Sequence, residues 1–442
     1  MILVGNGRTI TRDAANPYVE DGCVAIDGNK IVEVGATAAM KEKYTDYRFI
    51  DAKGGLIMPG FINAHMHYYS AFSRGFPGKG DPAQNFDEVL ERLWWKLDKA
   101  LSLDGTYYSA MVCMIDCIKN GCTTVLDHHA SPHAVKGSLF RIADAARETG
   151  IRSCLCYEVS DRDGETIMRE GIEENIEFIK YAREAKTDLL AGTFGLHASM
   201  TLSNETLAAC AAAMGSLDAG YHVHVAEGFG DEADSEKKYG KRVAERFRDF
   251  GILGEKSIAV HCIHIDEREK EILRDTKTAV VHNPESNMGN AVGTSPVLDM
   301  YAKGILLGLG SDGYVSDMLQ SYKIANALQK HHNKHPNVAW AEIPAMLFEN
   351  NRTIASRYFD VPVGRLVPGC SADVIVSDYD PPTALSGDNI NGHLLFGASG
   401  RSVVTTIARG KVLMENRKLT EIDETEIVAK ARECSKKVWE NF

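Results

Sequence analysis

Short runs of apolar residues, bounded by turn formers, occupy the first fifty positions. Ile2-Leu3-Val4, Gly22-Cys23-Val24-Ala25-Ile26 and Lys30-Ile31-Val32-Glu33-Val34-Gly35 predict strands, with a hairpin turn at Asp27-Gly28-Asn29. The same texture returns late, at 372–377, 403–408 and 411–413, with a turn at Arg409-Gly410. Between about 56 and 358 the pattern alternates short apolar runs with longer stretches of helical period. The runs at 56–62, 123–126, 153–157, 190–196, 221–225, 257–260, 279–281 and 305–310 predict eight strands separated by helices. That is the repetition of a (β/α)8 TIM barrel, an α/β fold flanked here by two β-rich chain ends.

The intervening helices carry the expected stripes. Phe86, Leu90, Leu93, Leu97 and Leu101 recur every three or four residues, with Asp87, Glu91, Lys96 and Asp98 largely opposite. Trp94 and Trp95 beside that stripe read as core or as a subunit contact, so a homodimer is expected. Asn120-Gly121 reads as a left-handed helix end, and Asp266 with Glu269 as a capping box.

Composition narrows the partners. Forty-nine Lys and Arg against sixty-one Asp and Glu leave a net charge of −12, which repels the phosphate backbone on which nucleic-acid affinity depends. The first residues lack a charged lead-in and a long apolar stretch, so neither signal peptide nor membrane anchor is expected there. Ten cysteines in 442 residues are too sparse for a disulfide framework. They fall mostly in apolar runs, where a thiol is a small hydrophobe, and even the Cys154-x-Cys156 pair lacks a second pair to complete a metal site. A cytoplasmic protein is expected.

Histidine brings the chemistry into view, because several of the fifteen fall at the carboxyl ends of predicted strands, the edge that forms a barrel's active-site mouth. His65-Met66-His67 follows the first strand, and alternation sends residues two apart to one side, where two imidazoles can share a cation. His222-Val223-His224-Val225-Ala226-Glu227 ends the fifth strand, His261 the sixth, and Asp312 the eighth, within a glycine-rich Gly308-Leu309-Gly310-Ser311-Asp312-Gly313. Each alone is equally a hydrogen-bonded histidine or a helix-capping aspartate; their joint placement on strands one, five, six and eight points to a site.

The segment Met58-Pro59-Gly60-Phe61-Ile62-Asn63-Ala64-His65-Met66-His67 resembles the opening motif of the amidohydrolase superfamily. Gly195-Leu196-His197-Ala198, His282-Asn283-Pro284-Glu285-Ser286-Asn287 and Pro368-Gly369…Ala372-Asp373 agree in order and spacing. Within the superfamily the chain is similar to the cytosine deaminase and chlorohydrolase-like branch, and most of all to the SsnA group of aminohydrolases. Leu93-Trp94-Trp95-Lys96-Leu97-Asp98, Val125-Leu126-Asp127-His128-His129-Ala130-Ser131-Pro132 and Ser286-Asn287-Met288 carry that closer likeness. The resemblance implies a barrel over 56–360 and a small β-sandwich domain built from both chain ends, 1–55 and 361–442, the latter including a terminal helix.

The resemblance also implies roles. His65, His67, His224 and Asp312 would hold one divalent metal, zinc first and iron second; no lysine stands at the end of the fourth strand to bridge a second metal. The metal would activate a water, with Asp312 accepting its proton, His261 orienting it and Glu227 protonating a ring nitrogen of an amino-substituted purine, pterin or pyrimidine. His222 reads as a support, and His197, Arg74, Tyr157 and His282 as substrate contacts. The stretch Leu155-Cys156-Tyr157-Glu158 lacks the arginine with which adenosine-type deaminases of this branch hold a distal carboxylate, which disfavours a carboxylate-bearing nucleoside. Met288-Gly289-Asn290 departs from the usual loop after Ser286-Asn287. Hydrolysis of a cyclic amide or of a C–Cl bond by the same activated water is the alternative, and a catalytically silent binding protein a further one.

Overall fold

The computed structural model describes residues 1–442. Its centre is parallel. Phe61–Met66, Cys122–Asp127, Arg152–Leu155 and Leu190–Gly192 form a four-stranded sheet, and Phe194–Leu196, Tyr221–Val225, Ile258–His261, Ala279–His282 and Leu307–Leu309 a five-stranded one. The ladder passes from one sheet to the other within the fourth expected strand: Thr193 N donates to Leu155 O at 3.1 Å, and the next amide, Phe194 N, to Gly220 O at 3.0 Å. At the far margins, the amides of Ser311 and Asp312 both donate to His65 O, at 3.0 and 3.1 Å. Helices such as Leu103–Lys119, Ser138–Thr149 and Glu165–Ala185 lie between successive strands. The strands are buried nearly throughout, which explains why they read as continuous apolar runs rather than alternating ones. The architecture is TIM-barrel-like α/β.

One expected strand is two. The run at 56–62 divides at Gly60, where an added Cβ would stand 2.3 Å from Thr123 Oγ1. Leu56–Pro59 pairs with Ile2–Ile10 and Val374–Ser377, outside the centre, and the first central strand begins at Phe61. Both pieces are apolar, so hydrophobic pattern alone could not separate them.

The chain ends meet in a single nine-stranded sheet. Val4, Val24 and Ile57 from one end share a buried cluster with Val374, Val376 and Ile407 from the other. The two expected hairpins are present, Asp27 pairing with Lys30 and Ala408 with Lys411. The terminal helix Glu424–Glu440 lies instead against Leu103–Lys119 of the central part, where Trp439 Nε1 donates to Phe72 O at 2.7 Å. Arg152, fully buried at the start of the third central strand, joins the two parts: it donates to Asp373 Oδ2 (2.5 Å), Ser371 Oγ (2.7 Å), Thr124 Oγ1 (3.0 Å) and Asp188 O (2.8 Å). No helix is long and apolar enough to cross a membrane.

Candidate metal centre and active site

Parallel strands deliver their last residues to one edge, and there the histidines gather. The ligating atoms of His65, His67 and His224 lie within 4.8 Å of one another, as do those of His65, His261 and Asp312. Asp312 Oδ1 stands 3.1 Å from His67 Nε2 and 3.9 Å from His65 Nε2. Each imidazole is held from behind. His67 Nδ1 lies 2.6 Å from His128 O, and His224 Nδ1 3.0 Å from His197 O. A carbonyl can only accept, so both rings carry a proton on Nδ1 and turn Nε2 inward. His65 Nδ1 meets His222 Nε2 at 2.9 Å, which makes His222 a support for His65, as expected.

The donor set fits a divalent metal. His65 Nε2 is completely buried and has no hydrogen-bond partner, and a buried acceptor left in that state is costly. Three inward-facing nitrogens and a carboxylate oxygen converge where only a cation relieves their mutual repulsion, and an N3O set suits a borderline ion such as zinc. The backbone is strained around it: Ala226, His261, Cys262 and Asp312 have φ of +47°, +71°, +49° and +57°. Left-handed conformation costs about 1–2 kcal/mol per non-glycine residue. At Gly310 an added Cβ would stand 2.8 Å from His65 O, so the approach of the first and eighth strand ends needs glycine there.

Beside the donors runs a chain of acid–base groups. His261 Nε2 lies 3.5 Å from Asp312 Oδ2 and 3.4 Å from Glu227 Oε2, while its Nδ1 donates to Asn287 Oδ1 at 2.8 Å. Burial pushes the Glu227 carboxyl well above its usual range, and the nearby Asp312 charge adds to this. Asp312 moves the other way: burial opposes its ionisation, but the hydrogen bond and charge of His67 outweigh that and hold it low. His67 is correspondingly held up, to about 9, by Asp312 against the effect of burial. Burial lowers His261 and keeps it neutral. Two carboxyls in one site are thus driven apart in acidity, the arrangement that separates a proton donor from a carboxylate.

A cleft opens above these groups, walled by Tyr69, Phe86, Leu90, Trp94, Trp95 and Met200. Of the expected substrate contacts, His197 lines it; the other three do not. Arg74 is exposed and paired with Asp116. Tyr157 is buried against Gly171 and His129, because alternation after the third strand sends Glu158, not Tyr157, into the cavity. His282 sits behind Asn287, its Nδ1 3.4 Å from Asn287 Nδ2. Trp94 and Trp95 line the cavity, Trp94 packing also against the main hydrophobic core, and Leu90–Trp94 forms a π-helical turn that shifts the register of the expected stripe.

The amidohydrolase family model matches residues 56–413. The chain belongs to the amidohydrolase family. It is 30% identical over 435 residues to a 5-methylthioadenosine/S-adenosylhomocysteine deaminase of Pelotomaculum thermopropionicum, covering 98% of this chain and 97% of that one. A 5'-deoxyadenosine deaminase of Methanosarcina mazei is 28% identical over 442 residues, covering 99% and 98%. Among solved structures, a zinc-bound adenosine deaminase from Xanthomonas campestris shares the fold, with a TM-score of 0.86 at 21% identity over 99% of this chain and 98% of that one. As an amidohydrolase with this donor set, the protein is a metal-dependent hydrolase.

The amidohydrolase site also holds residues to which sequence reasoning gave no role. His128 lies between the metal-site histidines and Glu158, with Nδ1 3.2 Å from Glu158 Oε2. Arg162 joins Glu158 (3.7 Å) to the buried Asp98 (2.8 Å). Burial opposes ionisation of Glu158, but His197, His128 and Arg162 outweigh it and hold the carboxyl well below its usual range. The signal lay in Asp127-His128-His129 and in the alternation after Leu155, which place one residue of each pair inward.

Proposed function

We propose that this amidohydrolase is a deaminase: it releases ammonia from an amino-substituted heterocycle of the purine, pterin or pyrimidine type. One observation carries the reading, the run Glu227–His261–Asp312 at 3.4 and 3.5 Å beside the histidine donors. The names of the relatives, deaminases of adenosine derivatives, support the reaction class.

A divalent cation held by His65, His67, His224 and Asp312, zinc first and iron second, supplies the Lewis acidity that makes a water nucleophilic near neutral pH. Asp312, ionised, takes the proton that the attacking water gives up. Glu227, kept protonated by its buried setting, donates to the ring nitrogen next to the amine-bearing carbon, which makes that carbon electrophilic. The water oxygen bonds to this carbon, the exocyclic C–N bond breaks, and the amine leaves as ammonia with the proton held by Asp312. The remaining hydroxyl proton returns to Glu227 as the ring carbonyl forms. His261, neutral and anchored by Asn287, orients the water between the two carboxyls. Loss of a chloride would draw on the same ring-nitrogen proton from Glu227 but would need no proton from Asp312 for the leaving group, so release of ammonia is what separates deamination from dechlorination.

We further read the central strands as a closed (β/α)8 ring that the chain enters at Gly60, rather than at 56, and leaves near 360, supported by the bonds of Ser311 and Asp312 to His65. We read the terminal strands, Leu56–Pro59 included with 1–55, together with 361–442 as a sandwich-like companion domain, supported by their shared core. A cytoplasmic location is supported by ten free thiols, nine of them buried.

The test is ammonia release by zinc- or iron-reconstituted protein across amino-purines, amino-pterins and amino-pyrimidines. One ring class should turn over strongly, and Glu227→Gln should lower its rate by about 10²–10⁴-fold, the usual worth of a positioned general acid. Silence across the panel with metal bound stoichiometrically would refute the deaminase.

A further inference from the structure

Two strands round the sheet from Glu227, the cavity wall carries a second buried carboxylate, Glu158, and beside it His197. The hydrogen-bond network assigns their protons. His128 Nε2 faces two carbonyls, Leu196 O at 3.1 Å and His222 O at 3.0 Å, so it donates there. His197 Nδ1 lies 2.6 Å from Thr201 Oγ1, whose hydroxyl donates to Ala198 O at 3.1 Å; with that hydroxyl so committed, His197 donates from Nδ1 and offers Nε2 to the cavity as an acceptor. Glu158 Oε1 stands 3.7 Å from His197 Nε2 and 3.7 Å from Arg162 Nη2, beyond hydrogen-bond reach of either. Two acceptors therefore stand side by side on the wall without a donor between them, an arrangement that a ligand N–H would relieve.

We propose that Glu158 and His197 receive a ring N–H of the substrate, so that the substrate is a cyclic guanidine: a 2-amino-4-oxopyrimidine ring, as in guanine or pterin. In such a ring the amine-bearing carbon lies between a bare nitrogen and an N–H. The bare nitrogen meets the acid of Glu227, the N–H meets Glu158 and His197, and the carbon between them is the one attacked. Water oxygen replaces the amine there, giving a 2,4-dioxo ring and ammonia, with no other reactant. An adenine ring does not fit, because its amine-bearing carbon is flanked by a nitrogen and a carbon, so no ring N–H lies beside that carbon to meet Glu158 and His197, and the only ring N–H of free adenine is on the distant five-membered ring. The flat apolar walls of Phe86, Leu90 and Trp94 suit either ring, so the choice falls to Glu158. This inference rests on the deaminase reading for the chemistry but not for the binding.

The experiment therefore measures both. Zinc-loaded Glu227→Gln protein, arrested in turnover, is titrated calorimetrically with pterin, isocytosine, adenine and adenosine, and the wild type is assayed for ammonia release from the same compounds. The cyclic guanidines should bind more tightly and turn over faster than the adenine compounds. Adding Glu158→Gln should weaken the guanidines on the order of 10- to 100-fold, as expected for loss of a charge-assisted hydrogen bond, while leaving adenine within a few-fold. Misfolding would instead weaken every ligand alike. Tighter binding or faster turnover of adenine or adenosine than of both guanidines overturns the proposal, whether or not the Glu158 variant folds. So does an equal loss for both ring classes in a Glu158→Gln protein that retains its zinc. Selective guanidine binding without ammonia release would uphold the ring-edge assignment and refute the deaminase instead.

Discussion

Asn287→Ala tests whether His261 acts through a fixed tautomer. The amide accepts the His261 Nδ1 proton at 2.8 Å in a fully buried setting, and its other end reaches His282 Nδ1 only at 3.4 Å, so nearly all of the loss falls on His261. An unsatisfied buried donor costs about 1–3 kcal/mol. If the ring must hold this orientation in the transition state, kcat/KM should fall on the order of 10- to 100-fold, since about 1.4 kcal/mol is tenfold. Zinc content should stay unchanged, because the proposed ligands keep their own supports. Asn287→Asp separates orientation from charge. It keeps an acceptor but places a carboxylate against a ring whose pKa burial otherwise lowers, so His261 should take up a proton at a higher pH than in the wild type. Where neutral His261 is required, the acid limb of the kcat/KM profile then moves to higher pH. The assay is ammonia release from the best substrate between about pH 5 and 9, with metal content measured in parallel. An Ala variant within threefold of wild type at full zinc content would refute the role given to His261, as would an Asp variant with an unmoved acid limb.

Two further outcomes follow from burial. Arg152→Met should leave Asp373 buried and unpaired, and so destabilise the protein by about 3–5 kcal/mol in urea unfolding; a loss below about 1 kcal/mol would show that the link between the two parts is not needed. In chelator-treated protein, the His67–Asp312 pair contributes stability that is complete below the ordinary histidine pKa of about 6.5 and is lost as pH rises through about 9, because His67 is the raised partner. The opposite edge lies in acid, where Asp312 is the depressed partner and its contribution fades as pH falls below the usual carboxylate range. Thermal unfolding should therefore show Tm falling between about pH 7 and 9.5 without metal and recovering with saturating zinc; a flat profile without metal would contradict the pairing.

Much of this protein is local in origin. The hairpins at Gly28-Asn29 and Arg409-Gly410, the capping box at Asp266 and Glu269, and the strands at 122–127 and 221–225 follow from turn chemistry and hydrophobic period over a few residues. His65 with His67 was legible for the same reason, because strand alternation sends residues two apart to one side; Glu227, three residues after His224, was legible only through the family resemblance and follows the left-handed Ala226 beyond the strand. Other features had no local signature. The division at Gly60 arises from the approach of Thr123, 63 positions away, and Trp94 and Trp95 turn into the cavity through a single wide helical turn. Arg74, attractive beside its motif, is claimed by Asp116, while Glu158, in a stretch read only for a missing arginine, becomes a cavity wall with His128, His197 and Arg162. Spacing along the chain sets which side of a strand a residue takes. Which charged partner reaches a side chain first, and whether its surroundings are water or a closed wall, depends on segments distant in sequence, and only their packing decided it.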